Sequence, residues 1–155
     1  MALALCKTMN SRKPNETIRV AVIAAGVRGS HLARQLASCT PTAQVEAVAE
    51  PSDERRRGFA QAHNLADCAQ FVSWEALCDS GLAFDAAIVA TMDNQHAAPV
   101  LACLHRGCHV LVEKPLADTF QDCLLIEKTQ RQTDYQNLFE RIIRRIRFWK
   151  TLLRP

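Results

Sequence analysis

Apolar residues along the chain fall into two kinds of segment that follow one another in turn. Short runs rich in β-branched residues, beginning with residues 18–25 (IRVAVIAA), are almost uncharged and are typical of strands buried on both faces of a sheet. Between them lie stretches in which apolar residues recur at helical spacing. The pattern predicts strands at residues 18–25, 44–50, 69–73, 84–91 and 108–115, and helices at residues 30–38, 52–63, 74–80, 95–107 and 119–132.

The order of these segments determines the fold class. Strands and helices that alternate through short connections form parallel sheets, because neighbouring parallel strands need a crossover helix between them. We therefore predict an α/β domain over residues 18–134, a doubly wound parallel sheet of Rossmann type. In such sheets ligands bind at the carboxyl ends of the strands. The unusual polar residues of this sequence follow the predicted strands, so we expect them to share one edge.

The two ends of the chain differ from this body. Residues 1–17 have neither a basic start nor a long apolar run, so we expect a flexible leader rather than a signal peptide or a membrane span. Residues 135–155 form a basic tail, in which five arginines and one lysine stand against a single glutamate. The net charge of +3 therefore arises in the tail, and the mildly acidic body argues against nucleic-acid binding.

The tail is also amphipathic, because its apolar residues recur at helical spacing with arginines on the other faces. Four interpretations are open. The segment lies on an anionic membrane surface, docks on a partner, covers the open edge of the sheet, or results from a truncated or misread gene. Of the two kinds of interaction, self-association is favoured over membrane binding.

Seven cysteines are spread along the chain without a C-x-x-C pair. Their number is odd, and most of them stand among apolar neighbours. This distribution favours reduced, buried thiols in a cytoplasmic protein over a disulfide framework or a metal site.

The first predicted strand ends in residues 24–29 (AAGVRG), a partial match to the G-x-G-x-x-G motif of dinucleotide-binding sites. Gly26 and Gly29 match the second and third glycines, whereas Ala24 replaces the first. The full motif directs a helix N-terminus, with its unpaired N–H groups, toward a pyrophosphate. A tight strand-to-helix turn that needs glycine for packing alone is the alternative.

Glu50 ends the second predicted strand, about 20 residues after Gly29. This is the spacing of the carboxylate that hydrogen-bonds the adenosine ribose in dinucleotide-binding domains. A negative charge there repels a 2′-phosphate, so NAD is favoured over NADP. The three arginines at residues 55–57 either soften this preference or form only the solvated face of a helix.

Two further loops carry candidate site residues. Thr91, Asn94 and His96 lie where the fourth strand ends and a helix begins, a position that suits contact with the nicotinamide half of a cofactor. The alternatives are that Asp93 or Asn94 caps the helix and that His96 is a helix-surface residue. Glu113 and Lys114 end the fifth strand with two opposite charges before a proline. Either these charged side chains contact a ligand, or the strand simply reaches the protein surface at this point.

Four segments together, VAVIAAGVRG, VEAVAEP, DAAIVATMDNQH and HVLVEKPLA, resemble in order and spacing the cofactor domain of the Gfo/Idh/MocA oxidoreductases. The resemblance covers about residues 18–133, and the E-K-P motif is its most specific part. It implies an NAD-dependent oxidoreductase that acts on CH–OH groups of sugars or polyols. The residues that it places beside the cofactor are Gly26, Val27, Arg28, Gly29, Glu50, Thr91, Asn94, His96, Glu113 and Lys114.

Lys114 is the catalytic residue that the resemblance implies. An ammonium group between nicotinamide and substrate hydrogen-bonds the carbinol oxygen and stabilises the negative charge that develops as hydride leaves. Ala24 and Met92 stand where the family usually has Gly and Pro, which weakens the expected cofactor affinity.

The family's enzymes continue into a second domain that holds the substrate. We therefore expect this chain to be a truncated form without turnover of its own. The alternative is a noncatalytic dinucleotide-binding or partner-interaction module.

Overall fold

A computed structural model describes residues 17–133 of the chain. The predictions made for the tail, and for all of the leader except Thr17, lie outside these residues.

Strands and helices alternate along this part of the chain. The strands are β1 (Ile18–Ile23), β2 (Ala43–Ala49), β3 (Gln70–Phe71), β4 (Ala86–Val89) and β5 (His109–Val112). The helices are α1 (Val27–Cys39), α2 (Asp53–His63), α3 (Trp74–Asp79), α4 (Ala97–His105) and α5 (Phe120–Gln132). Short 3-10 turns at Asp67–Ala69 and Asp93–Gln95 precede β3 and α4. Every predicted element is confirmed, with ends that differ by a few residues. No helix within residues 17–133 has the length and apolar character needed to span a membrane.

The strands form one parallel sheet in the order β3-β2-β1-β4-β5. The chain moves outward from β1 to β3 and then returns to place β4 on the other side of β1. The predicted doubly wound Rossmann topology is thereby confirmed. Because the strands are parallel, all of their carboxyl ends meet at one edge, and the order reverses between β1 and β4.

Apolar side chains cover both faces of the central strands. Ala21 and Ile23 of β1 belong to a cluster with residues of α3, α4 and α5. Val20 and Val22 belong to a second cluster, on the opposite face, with residues of α1 and α2. This alternation explains why β1 is apolar at every core position rather than at every second one.

The strand β5 differs from the prediction of a fully buried strand. All four of its residues are only half-buried. The reason is its place in the sheet, because among residues 17–133 β5 pairs with β4 alone and forms an edge. The prediction of a strand is confirmed here, and the prediction that it is buried is wrong.

The six described cysteines are free thiols. Cys103 and Cys108 are buried as predicted, whereas Cys68 is exposed and the others are half-buried. In the described part of the chain, no group of three or more His, Cys, Asp or Glu side chains is arranged to hold a metal ion.

Candidate functional site

The loops that follow β1, β2, β4 and β5 lie together at the carboxyl edge of the sheet. These loops, together with the first turn of α1, contain all of the site residues predicted from the sequence, at residues 26–29, 50, 91–96 and 113–114. The reversal of strand order between β1 and β4 opens a crevice at this edge, since the connections leave these neighbouring strands in opposite directions.

The turn between β1 and α1 has the backbone of a complete glycine motif although its first glycine is missing. Ala24 has a φ of 73°, in the left-handed region that favours glycine. Gly29 packs so closely that a β-carbon built there would overlap the carbonyl oxygen of Ala24 and lie 3.4 Å from the β-carbon of Ala90. The packing interpretation of the glycines therefore accounts for Gly29.

Gly26 is different, because the protein itself does not require a glycine there. Its φ of −65° is open to any residue. A β-carbon built on Gly26 would meet no atom of residues 17–133 within 4 Å, apart from those of its two neighbours in the chain. The missing side chain leaves open space directly at the N-terminus of α1.

The helix N-termini at this edge fall into two groups. The helices α2, α3 and α5 begin with a hydroxyl side chain that accepts a backbone N–H, and each has an acidic residue in its first turn. The helices α1 and α4 have neither feature. These two helices follow β1 and β4, the strands that flank the crevice. The start of α4 continues the 3-10 turn that contains Asp93, whereas the unpaired N–H groups and positive dipole end of α1 have no anionic partner in the first turn.

Glu50 is buried, with only 2% of its surface exposed, and it joins two loops. Its Oε2 atom accepts the N–H of Ala25 at 2.9 Å. Its Oε1 atom accepts the N–H of Ser52 at 2.9 Å and a guanidinium N–H of Arg55 at 3.0 Å. A carboxylate oxygen has two lone pairs, so Oε2 keeps capacity for one more donor in addition to Ala25.

The arginine run at residues 55–57 does not act as a single surface. Arg55 pairs with Oε1 of Glu50, and Arg56 donates to the Glu50 carbonyl oxygen at 2.8 Å. Arg57 is 76% exposed and pairs with Asp53 along the helix at 3.0 Å. The solvated-face interpretation therefore fits Arg57, whereas Arg55, whose side chain is 60% exposed, is both solvated and bound to Glu50. Sequence reasoning missed the role of the other two arginines, whose only signal was their distance from a strand-end carboxylate.

The loop after β4 is held by internal hydrogen bonds. Thr91 is half-buried and its hydroxyl donates to the carbonyl oxygen of Gln95 at 3.1 Å, while Asn94 is exposed. His96 is completely buried, with Nδ1 2.7 Å from the carbonyl oxygen of Pro115 and Nε2 3.0 Å from that of Thr91. The helix-surface interpretation of His96 is wrong, because the ring joins the loops after β4 and β5.

Glu113 and Lys114 extend from the end of β5 over the same edge. The Glu113 N–H donates to the Val89 carbonyl oxygen at 3.0 Å and continues the ladder with β4. Its carboxylate accepts the guanidinium of Arg28, on α1, at 2.7 Å. The Lys114 side chain is exposed, and a cis peptide bond joins it to Pro115. Two cationic residues, Arg28 on α1 and Lys114 after β5, therefore lie at the carboxyl edge of the sheet.

Comparison with known proteins identifies relatives for most of the chain. The model of the Gfo/Idh/MocA oxidoreductase family, NAD-binding Rossmann fold, matches residues 18–138. Inositol 2-dehydrogenase 1 of Saccharopolyspora erythraea is 38% identical over 112 residues, which make up 71% of this chain and 32% of that protein.

Solved structures share the fold. The WlbA dehydrogenase of Chromobacterium violaceum, in complex with NADH and UDP-GlcNAcA, has a TM-score of 0.71 at 19% identity over 78% of this chain and 34% of its own. The 3-ketoreductase KijD10 of Actinomadura kijaniata, in complex with NADP, has a TM-score of 0.65 at 25% identity over 76% of this chain and 36% of its own. The chain spans about a third of the length of the relatives that it matches.

Proposed function

The chain belongs to the Gfo/Idh/MocA oxidoreductase family, and from this premise we propose that it binds NAD in the crevice between β1 and β4, for hydride transfer at a CH–OH carbon of a sugar or polyol. The observation that carries the proposal is Gly26, whose missing side chain neither the backbone nor the packing of the protein explains. A ligand that comes close to the backbone at this point does explain it.

The pyrophosphate would lie against Gly26 and the N-terminus of α1. The first-turn N–H groups of α1, among them those of Val27 and Arg28, have no partner within the helix. They supply hydrogen-bond donors and a positive dipole end for the bridging anion. The uncapped start of this helix, next to capped starts elsewhere, supports the assignment.

The adenosine ribose would lie beside Glu50. The free lone pair of Oε2 suits a ribose hydroxyl, and the carboxylate charge disfavours a 2′-phosphate. NAD is therefore preferred over NADP in this proposal. The ion pair of Arg55 with Oε1 limits that preference, because a 60% exposed guanidinium lies near the same ribose position.

The nicotinamide would lie over the loops after β4 and β5, next to Thr91, Asn94 and Lys114. His96 contributes by holding these two loops together, since its two ring nitrogens already lie against the carbonyl oxygens of Pro115 and Thr91. In the reduction direction, the exposed ammonium of Lys114 would donate to the carbonyl oxygen of the substrate, stabilise the negative charge that develops there as hydride is added to the carbon, and supply the proton of the hydroxyl product. The relatives named inositol 2-dehydrogenases support a sugar or polyol as substrate class.

Two glycine variants test the cofactor site without disturbing the fold. Gly26→Ala and Gly58→Ala each add a β-carbon that meets no atom within 4 Å in the described part of the chain, apart from its chain neighbours and, for Gly58, the adjoining backbone of α2. We expect Gly26→Ala to weaken NAD binding at least about tenfold, the loss that accompanies one charge-assisted hydrogen bond, without lowering thermal stability. Gly58→Ala, inside α2, should keep NAD affinity and raise the free energy of unfolding by about 0.5 to 1 kcal/mol.

Calorimetric titration with NAD and NADP measures both the site and its preference. We expect the unmodified chain to bind NAD more tightly than NADP. Of the two glycine variants, only Gly26→Ala should lose NAD affinity. Equal NAD affinity in the two glycine variants would contradict the proposed position of the pyrophosphate at the N-terminus of α1. Equal or reversed affinities for the two cofactors would remove the ribose assignment of Glu50 alone.

A further inference from the structure

An ion pair crosses the carboxyl end of β4. Arg28 is in the first turn of α1, which follows β1, and Glu113 follows β5. β4 lies between β1 and β5 in the sheet, so the 2.7 Å contact between the two side chains joins opposite sides of that strand. The pair therefore lies across the crevice described above.

The two partners differ in how firmly they are held. The Glu113 side chain is 16% exposed, and its backbone is fixed to β4 by the N–H that donates to Val89. The Arg28 side chain is 56% exposed and has a long stem with several rotatable bonds. Arg28 is thus the partner that can exchange one anion for another.

The open space at Gly26 lies two residues before Arg28 in the same turn. No acidic residue in the first turn of α1 competes for the guanidinium. A pyrophosphate in this space would offer two negative charges and several acceptor oxygens, whereas Glu113 offers one carboxylate. A guanidinium binds such an anion through two parallel hydrogen bonds.

We propose that Glu113 holds Arg28 in the free protein and that Arg28 is transferred to the pyrophosphate when a dinucleotide binds. This inference rests on the proposed function. In it, Arg28 is a binding residue for the diphosphate, and Glu113 is its positioning residue and competitor. The chemical class recognised is a diphosphate ester, independent of the nicotinamide ring.

A double-mutant cycle with ADP-ribose tests the exchange, because this probe carries the pyrophosphate and lacks nicotinamide. We expect Glu113→Gln to tighten ADP-ribose binding about two- to fivefold, the range of an exposed ion pair. Arg28→Met should weaken it about tenfold through loss of a charge-assisted contact. In the Arg28→Met background, Glu113→Gln should have no effect.

Arg34→Met is the matched control. Arg34 lies on the same helix, and its guanidinium donates to the carbonyl oxygen of Ser30, so its removal changes the net charge equally. Its affinity for ADP-ribose should stay within about twofold of the unmodified chain, because a single surface charge is screened. Circular-dichroism melting of each variant verifies that binding is measured on folded protein.

Each other outcome has a definite meaning. Tightening by Glu113→Gln that persists in the Arg28→Met background would be a general charge effect and would overturn the exchange. Weaker binding in Glu113→Gln would make Glu113 itself a ligand and would overturn it as well. If the unmodified chain binds neither NAD nor ADP-ribose, both this inference and the proposed function fail. If it binds both but the cycle shows no coupling, only the inference fails.

Discussion

Glu50 joins the loops after β1 and β2 in the cofactor-free protein, so replacing it should lower the stability of that form. Its carboxylate accepts the N–H of Ala25 in the turn after β1 and the N–H of Ser52 in the loop after β2. The side chain is buried, so water cannot easily replace it. We therefore expect Glu50→Ala to lower the free energy of unfolding in the absence of cofactor.

The magnitude follows from these contacts. A buried N–H group left without a partner costs about 1 to 3 kcal/mol, and Glu50→Ala leaves two such groups, in Ala25 and Ser52. The Ser52 contact is only partly buried, so a loss of about 2 to 4 kcal/mol is expected. Arg55→Met should cost at most about 1 kcal/mol, because the Arg55 side chain is 60% exposed.

Urea unfolding followed by circular dichroism measures these differences. Glu54→Ala is the matched control, since Glu54 is an exposed glutamate in the first turn of α2 and its loss should cost at most about 1 kcal/mol of helix-dipole stabilisation. In folded Glu50→Gln protein, the preference for NAD over NADP should also narrow by roughly 1 to 3 kcal/mol. Equal stability of Glu50→Ala and Glu54→Ala would refute the role of Glu50 in joining the loops.

Three further substitutions give independent tests. Ala24→Gly should raise the free energy of unfolding by about 0.5 to 1 kcal/mol. The left-handed backbone at this position costs about 1 to 2 kcal/mol for alanine, and the greater freedom of glycine in the unfolded chain offsets part of the gain. A lower stability of this variant in urea would contradict the prediction. A hydrogen bond from Cys103 lowers the pKa of Cys78 to about 7. Iodoacetamide should therefore modify Cys78 readily at neutral pH. In Cys103→Ala, the pH at which half of Cys78 is alkylated, measured by mass spectrometry, should be higher. Burial, and then the charge of Arg34, lower the pKa of His63 below 6.5, so the neutral ring favours the folded state and stability should fall as the pH drops below 6.5. His63→Gln should flatten this fall in melting temperature, and an unchanged slope would exclude His63 as its source.

The strands and helices could be predicted from the sequence because their signals are local. β-Branched runs identify the central strands, and Ser52 before Asp53 identifies the start of α2, where the serine accepts the N–H of Arg55. The close packing at Gly29 could be predicted as well, since the third glycine of the motif is the position where the helix lies against the strand.

Other features could not be predicted, because they depend on which loops meet in space. Ala24 adopts a glycine-like backbone that its residue type disfavours. In the sequence, His96 is a polar residue at the start of a helix, which predicts exposure. Its contact with the carbonyl oxygen of Pro115, 19 residues later, is seen only in the folded chain. The contact of Arg28 with Glu113 joins residues 85 positions apart in sequence, and no spacing rule indicates it.

The edge position of β5 has the same origin. Its residues 110–112 are as apolar as those of β4, yet all four residues of β5 are half-buried, because within residues 17–133 the strand lies at the end of the sheet order. Hydrophobicity predicts that a segment forms a strand, whereas strand order determines how far that strand is buried.

Amide chemical-shift mapping with NAD on the isotope-labelled chain tests the central claim most directly, since it reports where the cofactor binds. Saturable shift changes should concentrate in residues 24–29, 91–96 and 113–114, at the carboxyl edge of the sheet. Residues at the opposite edge, such as Thr42 and Asp85, which precede β2 and β4, should be unaffected. Absence of any saturable change, or changes centred on that opposite edge, would contradict a dinucleotide site in the crevice between β1 and β4.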